Sequence, residues 1–310
     1  MMISNTVRFW LYVSLLIPSV ICTLFAIIYL LINRTLGNVL TNHIIIIILS
    51  LSLISQVTYY PWMLYYYQYK GTWRRAQIFC LIWGYLDWCI YITQAILFAW
   101  ATIERHILIF HDRWVSTKKK RFIIHYIPPV LILLYCFIFY FIFWFFPPCR
   151  NNFYNSDMLC LDPCITYNST YSMYETFAHL ILPALIIIVF SIALFVRVLV
   201  RKRRVHGTIE WRKHQKLAIQ VLSISILYLV CLFLYALYCI MYVYKVRTKA
   251  FRDFEEYAEV LAYCMTLLLP FVCILSLPEL RTKFIKILRL RCRTRRIGTE
   301  TLTMRPTTKN

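Results

Sequence analysis

Residues 78–110 read IFCLIWGYLDWCIYITQAILFAWATIERHILIF, and this stretch decides the fold. Between Ile78 and Ile103 the only charged residue is Asp87. About 20 predominantly apolar residues are enough for a helix to cross the hydrocarbon core of a bilayer. We therefore predict a transmembrane helix here, and its extra length indicates that its ends project into water.

Six further apolar stretches of comparable length accompany it along the chain. Hydrophobic residues make up 61% of the 310 positions and the mean hydropathy is +0.64. A water-soluble protein of this length could not bury so much apolar side chain. We therefore predict an all-α fold, a bundle of seven transmembrane helices. The predicted spans are 9–32, 39–67, 78–110, 122–146, 175–200, 217–244 and 256–276.

The Lys and Arg residues predict which way this bundle faces. The formal net charge of +21 would be typical of a nucleic-acid-binding protein, but here the bases lie in the connections between apolar stretches. With the N-terminus outside, 25 of the 34 Lys and Arg residues fall on the cytoplasmic side. Because basic residues are retained on that side, we predict an extracellular N-terminus, a cytoplasmic C-terminus and no nucleic-acid partner.

The connection between the fourth and fifth spans is then the second extracellular loop. Asn168-Ser169-Thr170 is an N-glycosylation sequon in this loop, so Asn168 is a candidate glycosylation site. Tyr and Trp residues crowd the outer end of the second span, and most of them are interpreted as an aromatic belt at the membrane surface. They are Tyr59, Tyr60, Trp62, Tyr65, Tyr66, Tyr67, Tyr69 and Trp73.

Glu104-Arg105-His106, at the cytoplasmic end of the third span, is the most informative motif. A charged pair at this depth is costly, so we expect Glu104 and Arg105 to interact with each other. Cys80 lies 25 positions before Arg105, about one membrane crossing at 1.5 Å per residue. The motif and this interval together resemble the Asp/Glu-Arg-Tyr triplet and the disulfide cysteine of the rhodopsin-like (class A) G-protein-coupled receptors. The chain looks like a divergent member of that family.

Other residues resemble this family or depart from it. Pro61 and Pro183 match prolines of its second and fifth helices, and 269–273 (LPFVC) looks like an altered Asn-Pro-x-x-Tyr. Ser52 stands where the family has a sodium-binding aspartate, and 231–234 (CLFL) lacks the tryptophan and proline of Cys-Trp-x-Pro. The departures argue against sodium regulation and against the usual activation relay.

The resemblance implies a receptor at the plasma membrane that binds an extracellular amine or peptide. It also implies that Glu104, Arg105 and His106 couple the receptor to heterotrimeric G proteins. Asp87 lies on the helix and at the depth where family members pair an aspartate with cationic amines. The alternative for Asp87 is a hydrogen bond to a neighbouring helix, through Trp88 or a tyrosine. His179 is likewise a candidate for ligand binding, with packing as its alternative.

The resemblance also implies a disulfide from Cys80 to the second extracellular loop, where oxidation is permitted. Cys160 is the first choice as partner and Cys164 the alternative. The remaining loop cysteine would then pair with Cys149.

The segment that follows the seventh span is predicted to lie on the membrane. Leu280, Phe284 and Leu288 share one face of an amphipathic eighth helix, and Cys292 beyond it is a candidate palmitoylation site. The threonines of the basic tail are candidates for phosphorylation by receptor kinases and for arrestin binding. The predicted divisions are an extracellular N-terminus (1–8), the seven-helix receptor domain (9–278), the amphipathic helix (279–290) and a cytoplasmic tail (291–310).

A seven-helix transporter or channel without G-protein coupling is the alternative function. Such proteins usually need several intramembrane ionisable groups, internal repeats or broken helices, whereas Asp87 is the only acid deep in a predicted span. An enzyme is not predicted, because the sequence has no HExxH motif, no paired deep aspartates and no nucleophile with a visible base. No metal and no cofactor are expected.

Overall fold

The computed structural model describes residues 3–33, 40–69, 77–110, 114, 116–151, 163–204, 209–244, 248–277 and 279–286. Within these ranges every regular element is a helix, and seven helical segments are long and apolar enough to cross a membrane. The predicted all-α bundle of seven membrane-length helices is confirmed. The segments, called spans 1 to 7 below, are Asn5–Ile32, Asn42–Gln68, Gln77–Leu108, Lys118–Phe145, Ser169–Val198, Leu222–Val243 and Ala250–Ser276.

Several spans are assembled from more than one helical segment. In chain order the α-helices are Asn5–Ile32, Leu40–Val57, Tyr59–Gln68, Gln77–Phe110, Lys118–Arg121, Ile127–Phe145, Ser169–Tyr174, Leu182–Arg204, Ile209–Val243 and Lys249–Ser276. Two π-helices occupy Phe122–Tyr126 and Glu175–Ile181, and a 3-10 helix occupies Cys164–Tyr167.

Prolines explain where the helices are interrupted. Pro61 has no N–H to donate to the carbonyl of Val57, and span 2 breaks at Thr58, whose backbone leaves the helical region. Pro183 likewise cannot bond to the carbonyl of His179, and the turn before it widens into the π-helix Glu175–Ile181. These wider turns change which side chains face the inside of the bundle.

Span 3 lies at the centre of the bundle. In the most apolar part of span 3, 72% of residues are buried. In the corresponding part of span 4 only 22% are buried, so span 4 faces outward along most of its length. The ring of Phe98 in span 3 stacks on Tyr228 of span 6 with centroids 4.3 Å apart. Asp87 and Arg105 are both on this central helix, so both are surrounded by the other spans.

Polar side chains tie spans 1, 2 and 7 together. Ser19 donates to the carbonyl of Leu267 (2.7 Å), and Gln56 donates to the Ser19 hydroxyl (2.9 Å) while it accepts from Thr23 (3.1 Å). Because lipid cannot hydrogen-bond to these groups, their partners have to come from neighbouring helices.

The sequence placed Ser52 at the position of the family's sodium-binding aspartate. Gln94 of span 3 donates to the Ser52 hydroxyl (2.8 Å) and to the carbonyl of Ile48 (3.2 Å). A neutral bridge between spans 2 and 3 therefore occupies this position. It agrees with the expectation that the charge needed for sodium is missing.

Residues 279–286 form a short helix after span 7. Leu280 is fully buried, and the ring of Phe284 packs against Phe25 of span 1 with centroids 5.2 Å apart. Arg281 and Lys283 are exposed. This arrangement follows the amphipathic pattern read from the sequence, while Leu288 and Cys292 lie outside the described residues.

Two expectations from the sequence need correction. Tyr59, Tyr60 and Tyr67 are buried inside the bundle, so the aromatic-belt interpretation is wrong for them. Span 7 begins at Ala250 and not at position 256, because its first turns pack a charged face against other protein elements. Hydropathy alone misses such a turn.

Replacing Ser19 with Ala removes the hydroxyl shared by spans 1, 2 and 7. We expect the free energy of unfolding to fall by about 1 kcal/mol, since hydrogen bonds between membrane helices contribute about 0.6 kcal/mol on average. Thermal unfolding of the purified protein in detergent measures the loss. Ser50→Ala is the matched control, because the Ser50 hydroxyl bonds only to the carbonyl of Ile46 in its own helix. Equal melting temperatures for the two variants would contradict the role of Ser19.

Candidate functional site

A cavity of about 260 Å³ lies between spans 2, 3, 5, 6 and 7, toward the end of the bundle that holds the chain's N-terminus. Thr166 and Tyr167, in the segment just before span 5, complete its wall. Its volume is a little below the roughly 300 Å³ at which pockets for drug-sized ligands start, so it suits a smaller molecule.

Carboxylates and tyrosines dominate the lining of this cavity. The acids come from spans 3, 5 and 7, and none of the lining residues that the structure describes is Lys, Arg or His. The acids are Asp87, Glu175, Glu255 and Glu259, and the tyrosines are Tyr59, Tyr91, Tyr167, Tyr235, Tyr238, Tyr242 and Tyr263. Negative charge surrounded by aromatic faces is the chemistry that attracts organic cations.

Asp87 lies in the wall of this cavity and is 7% exposed. Tyr263 of span 7 donates a hydrogen bond to its carboxylate (2.7 Å). The structural alternative read from the sequence, a bond to a tyrosine on a neighbouring helix, is therefore present. It does not exclude the other alternative, because a carboxylate can accept further hydrogen bonds from a ligand.

His179 lies outside the lining of the cavity. Its ring nitrogens face two hydroxyls of span 4, Nε2 at 2.8 Å from Tyr135 and Nδ1 at 3.1 Å from Tyr140. Both nitrogens are satisfied where spans 4 and 5 pack together, so the structure gives His179 the packing role. Tyr140 also donates to Glu175 (3.0 Å), which does line the cavity.

Three acids of the cavity were missed in the sequence, where Asp87 was taken as the only deep acid. Glu175 was the first residue of the predicted span 5, Glu255 lay just before the predicted start of span 7, and Glu259 lay three residues inside it. The spacing of Glu255 and Glu259 along the chain could have identified these two acids. Glu255, Glu259 and Tyr263 are four residues apart and therefore lie on one helical face, the face that meets Asp87.

The opposite end of span 3 carries Glu104, Arg105 and His106, all buried. The Glu104 carboxylate is hydrogen-bonded to Nδ1 of His125 in span 4, and Nε2 of His125 lies 2.9 Å from Nδ1 of His43 in span 2. This chain of three side chains joins spans 2, 3 and 4. The sequence predicted the interaction of Glu104 with Arg105 and gave no sign of the two histidines.

His106 and Arg105, at the same end of span 3, are buried as well. His106 packs edge-on against Phe190 of span 5, with centroids 5.6 Å apart. Arg105 is 1% exposed and is among the largest fully buried side chains that the structure describes. The bundle thus presents an acidic cavity at one end and a buried arginine at the other.

The sequence profile of the seven-transmembrane receptors of the rhodopsin family matches residues 8–272 of the chain. The protein belongs to the rhodopsin family. It is therefore a receptor of the G-protein-coupled type and a multi-pass protein of the plasma membrane, and family members are receptors and not enzymes. None of the curated proteins matches the chain.

The loop before span 5 of the receptor contains a disulfide between Cys149 and Cys164. Cys80 is also disulfide-bonded. Because Cys149 and Cys164 bind each other, Cys164 is not available to Cys80, and the proposed partner Cys160 lies outside the described residues. Asn168 is exposed in the same loop, where its side-chain oxygen caps the helix Ser169–Tyr174 and leaves the amide nitrogen, the atom that carries a glycan, out of that bond.

We expect peptide mapping of the non-reduced receptor to recover one peptide pair that joins Cys80 to Cys160 and a second that joins Cys149 to Cys164. The second bond closes a loop with a sequence separation of 15 residues, next to the part of the chain that lines the cavity. Recovery of Cys80 with a free thiol, or joined to Cys164, would contradict the prediction. Reduction before digestion is the control that releases both pairs.

Proposed function

We propose that the receptor binds an extracellular ligand with a positive charge in this cavity, that Asp87 anchors the ligand, and that Glu104, Arg105 and His106 carry the signal to a heterotrimeric G protein. The observation that supports this most directly is the lining of the cavity. It combines four carboxylates with seven tyrosines, and no basic residue is among the described lining.

Electrostatics favour a cation at this site. An ionised carboxylate removed from water loses several kcal/mol of solvation, which an attached positive charge offsets. Tyr263 supplies one hydrogen bond to Asp87, but a hydroxyl carries no charge. Tyrosine rings around the cavity add cation–π attraction of about 0.5–2 kcal/mol each when they face the charge. The four carboxylates would repel an anionic ligand.

The proposed orientation has the N-terminus and the cavity outside and the Arg105 end in the cytoplasm. The distribution of Lys and Arg supports it, since 25 of 34 lie on the proposed cytoplasmic side. In this orientation Asn168 is available for glycosylation, and the tail from 291 onward meets receptor kinases and arrestin. Residues 279–290, with Cys292 as a lipid attachment site, lie against the inner membrane surface.

The resting state is proposed to depend on Glu104. In the family the acid of this triplet holds the neighbouring arginine until helix movement frees it to contact the G protein. Here Glu104 is itself held by His125 of span 4. We infer that His125 fixes the position of the acid that restrains Arg105.

A cation channel or transporter is the second candidate, and the acidic cavity is the observation that favours it. Four carboxylates near one cavity resemble an ion pathway more than a single acid would. Nucleotide exchange on heterotrimeric G proteins in membranes from expressing cells separates the two functions. Ion currents without such exchange would support the channel, and exchange without currents supports the receptor.

Asp87→Asn should lower the potency of a cationic agonist at least tenfold, a loss of about 1.4 kcal/mol, because Asn fits the same space without the charge. Nucleotide exchange measured against a panel of aryl-alkyl and aliphatic amines gives the potency, with surface expression recorded alongside. Glu256→Gln is the matched control. That acid pairs with Arg8 (3.4 Å) and is not among the lining residues. Unchanged agonist potency in Asp87→Asn would show that Asp87 does not bind the ligand.

His125→Phe should raise nucleotide exchange in the absence of agonist, because Glu104 loses its partner and restrains Arg105 less firmly. His125→Gln, whose amide can still donate to Glu104, should behave like the native receptor. Combining His125→Phe with Arg105→Ala should return exchange to background, since Arg105→Ala alone is expected to abolish coupling at normal surface density. A low basal rate in His125→Phe, or high activity in the double variant, would contradict the mechanism.

A further inference from the structure

The cavity holds more negative charge than one positive group on a ligand can balance. Glu259 lies close enough to both Asp87 and Glu255 for their charges to repel one another. Glu255 accepts a hydrogen bond from Tyr238 (2.6 Å) and Glu175 accepts one from Tyr140. No described side chain donates a hydrogen bond to Glu259, and the positive charge of Arg8 in span 1 offsets only part of the repulsion from the other acids.

The helical repeat of span 7 fixes the spacing of the acids along the bundle. Glu259 comes four residues before Tyr263, so the two side chains share a face and are separated by about 6 Å along the helix axis. Tyr263 is bonded to Asp87. Glu259 therefore lies about one helical turn from Tyr263, the residue that bonds to Asp87, and nearer the end of the bundle that holds the N-terminus.

A second, independent observation concerns Tyr91, on the other side of Asp87. Tyr91 comes four residues after Asp87 on span 3, lines the cavity and is 8% exposed. Its hydroxyl is buried and has no hydrogen-bond partner among the described residues. A buried hydroxyl without a partner loses about 1–3 kcal/mol, so this position favours a ligand group that donates to it.

We propose that the cavity is built for a ligand with two positive charges, an α,ω-diamine or a molecule with the same pair of cationic groups, held between Asp87 and Glu259. One ammonium group binds Asp87 and donates a second hydrogen bond to the Tyr91 hydroxyl. The other ammonium group binds Glu259, one helical turn from Tyr263 on span 7. The second charge neutralises Glu259, which a monoamine bound at Asp87 leaves without a cationic partner.

This inference rests on the proposed role of Asp87 as a cation anchor and adds a second anchor to it. Protonation of Glu259 is the competing way to relieve the repulsion. A protonated acid would give a second ammonium group no electrostatic advantage, so diamines and monoamines of the same chain length would then bind alike. Binding measurements on matched pairs of amines distinguish the two explanations.

The test uses purified full-length receptor in lipid nanodiscs, with α,ω-diamines from diaminopropane to diaminooctane and the monoamines from propylamine to octylamine. Ligand-induced stabilisation against heat gives the dissociation constants without any need for signalling. We expect the best diamine to bind at least about tenfold more tightly than its monoamine, which is about 1.4 kcal/mol. The affinity should peak at one intermediate chain length, because the distance between Asp87 and Glu259 is fixed.

Substitutions of the acids show which carboxylate binds the second ammonium group of the ligand. Glu259→Gln should bring diamine affinity down to about that of the monoamine and weaken the monoamine much less than the diamine, whereas Tyr91→Phe should weaken both. Glu256→Gln, three residues away and outside the lining, should change neither. Glu175→Gln should also preserve the diamine preference, and loss of the preference there but not in Glu259→Gln would overturn the assignment.

The outcomes separate this inference from the proposed function. If matched amines bind equally and both depend on Asp87, the second anchor is wrong and the cation site stands. If no amine of either series depends on Asp87, the cation site itself is wrong. Absence of binding by every diamine, with monoamines bound, would also overturn the two-charge ligand.

Discussion

The hydrocarbon of a membrane offers no hydrogen bonds, and this constraint governs where the polar side chains of the receptor lie. Ser19 and Gln56 bond across spans 1, 2 and 7, and Gln94 bonds to Ser52 across spans 2 and 3. Asp87 meets Tyr263, and Glu104 meets His125. Each bond gives a buried polar group its partner and also holds two helices together. The same hydrogen bonds therefore stabilise the packing of the helices.

The fold follows from the sequence because the length of an apolar stretch is set by the thickness of the membrane. The seven spans and their order could be predicted in this way. The ends of the spans could not, since charged turns such as the one that contains Glu255 are stabilised by tertiary partners. Pro61 and Pro183 mark sites of irregularity in the sequence, but the sequence does not say whether a proline produces a break, as at Thr58, or a π-helix, as at Glu175–Ile181.

Only part of the candidate site could be predicted, and the reason is geometric. Asp87 stands out because a lone acid in an apolar helix needs an explanation, and the structure places it in the cavity wall. Glu259 and Glu175 were hidden at the edges of spans, where charges are ordinary. His125 is an isolated residue 21 positions from Glu104, and nothing in a single sequence indicates that they meet. For His179 the sequence left packing and ligand binding open, because a histidine near a helix kink looks the same whether it packs or binds.

The helix Ile209–Val243, which contains span 6, has no proline or glycine in any of its 35 positions. At 1.5 Å per residue it is about 50 Å long. Tyr235 and Tyr238 of the cavity wall lie toward one end of this helix, and Ser225, bonded to Ser191 of span 5 at 2.8 Å, lies near its middle. Family members bend this helix at a proline, whereas a helix without one transmits a tilt along its whole length. A tilt about the contact of Ser225 with Ser191 displaces both ends by similar amounts, so a movement at the cavity reaches the part of the helix that extends beyond the membrane.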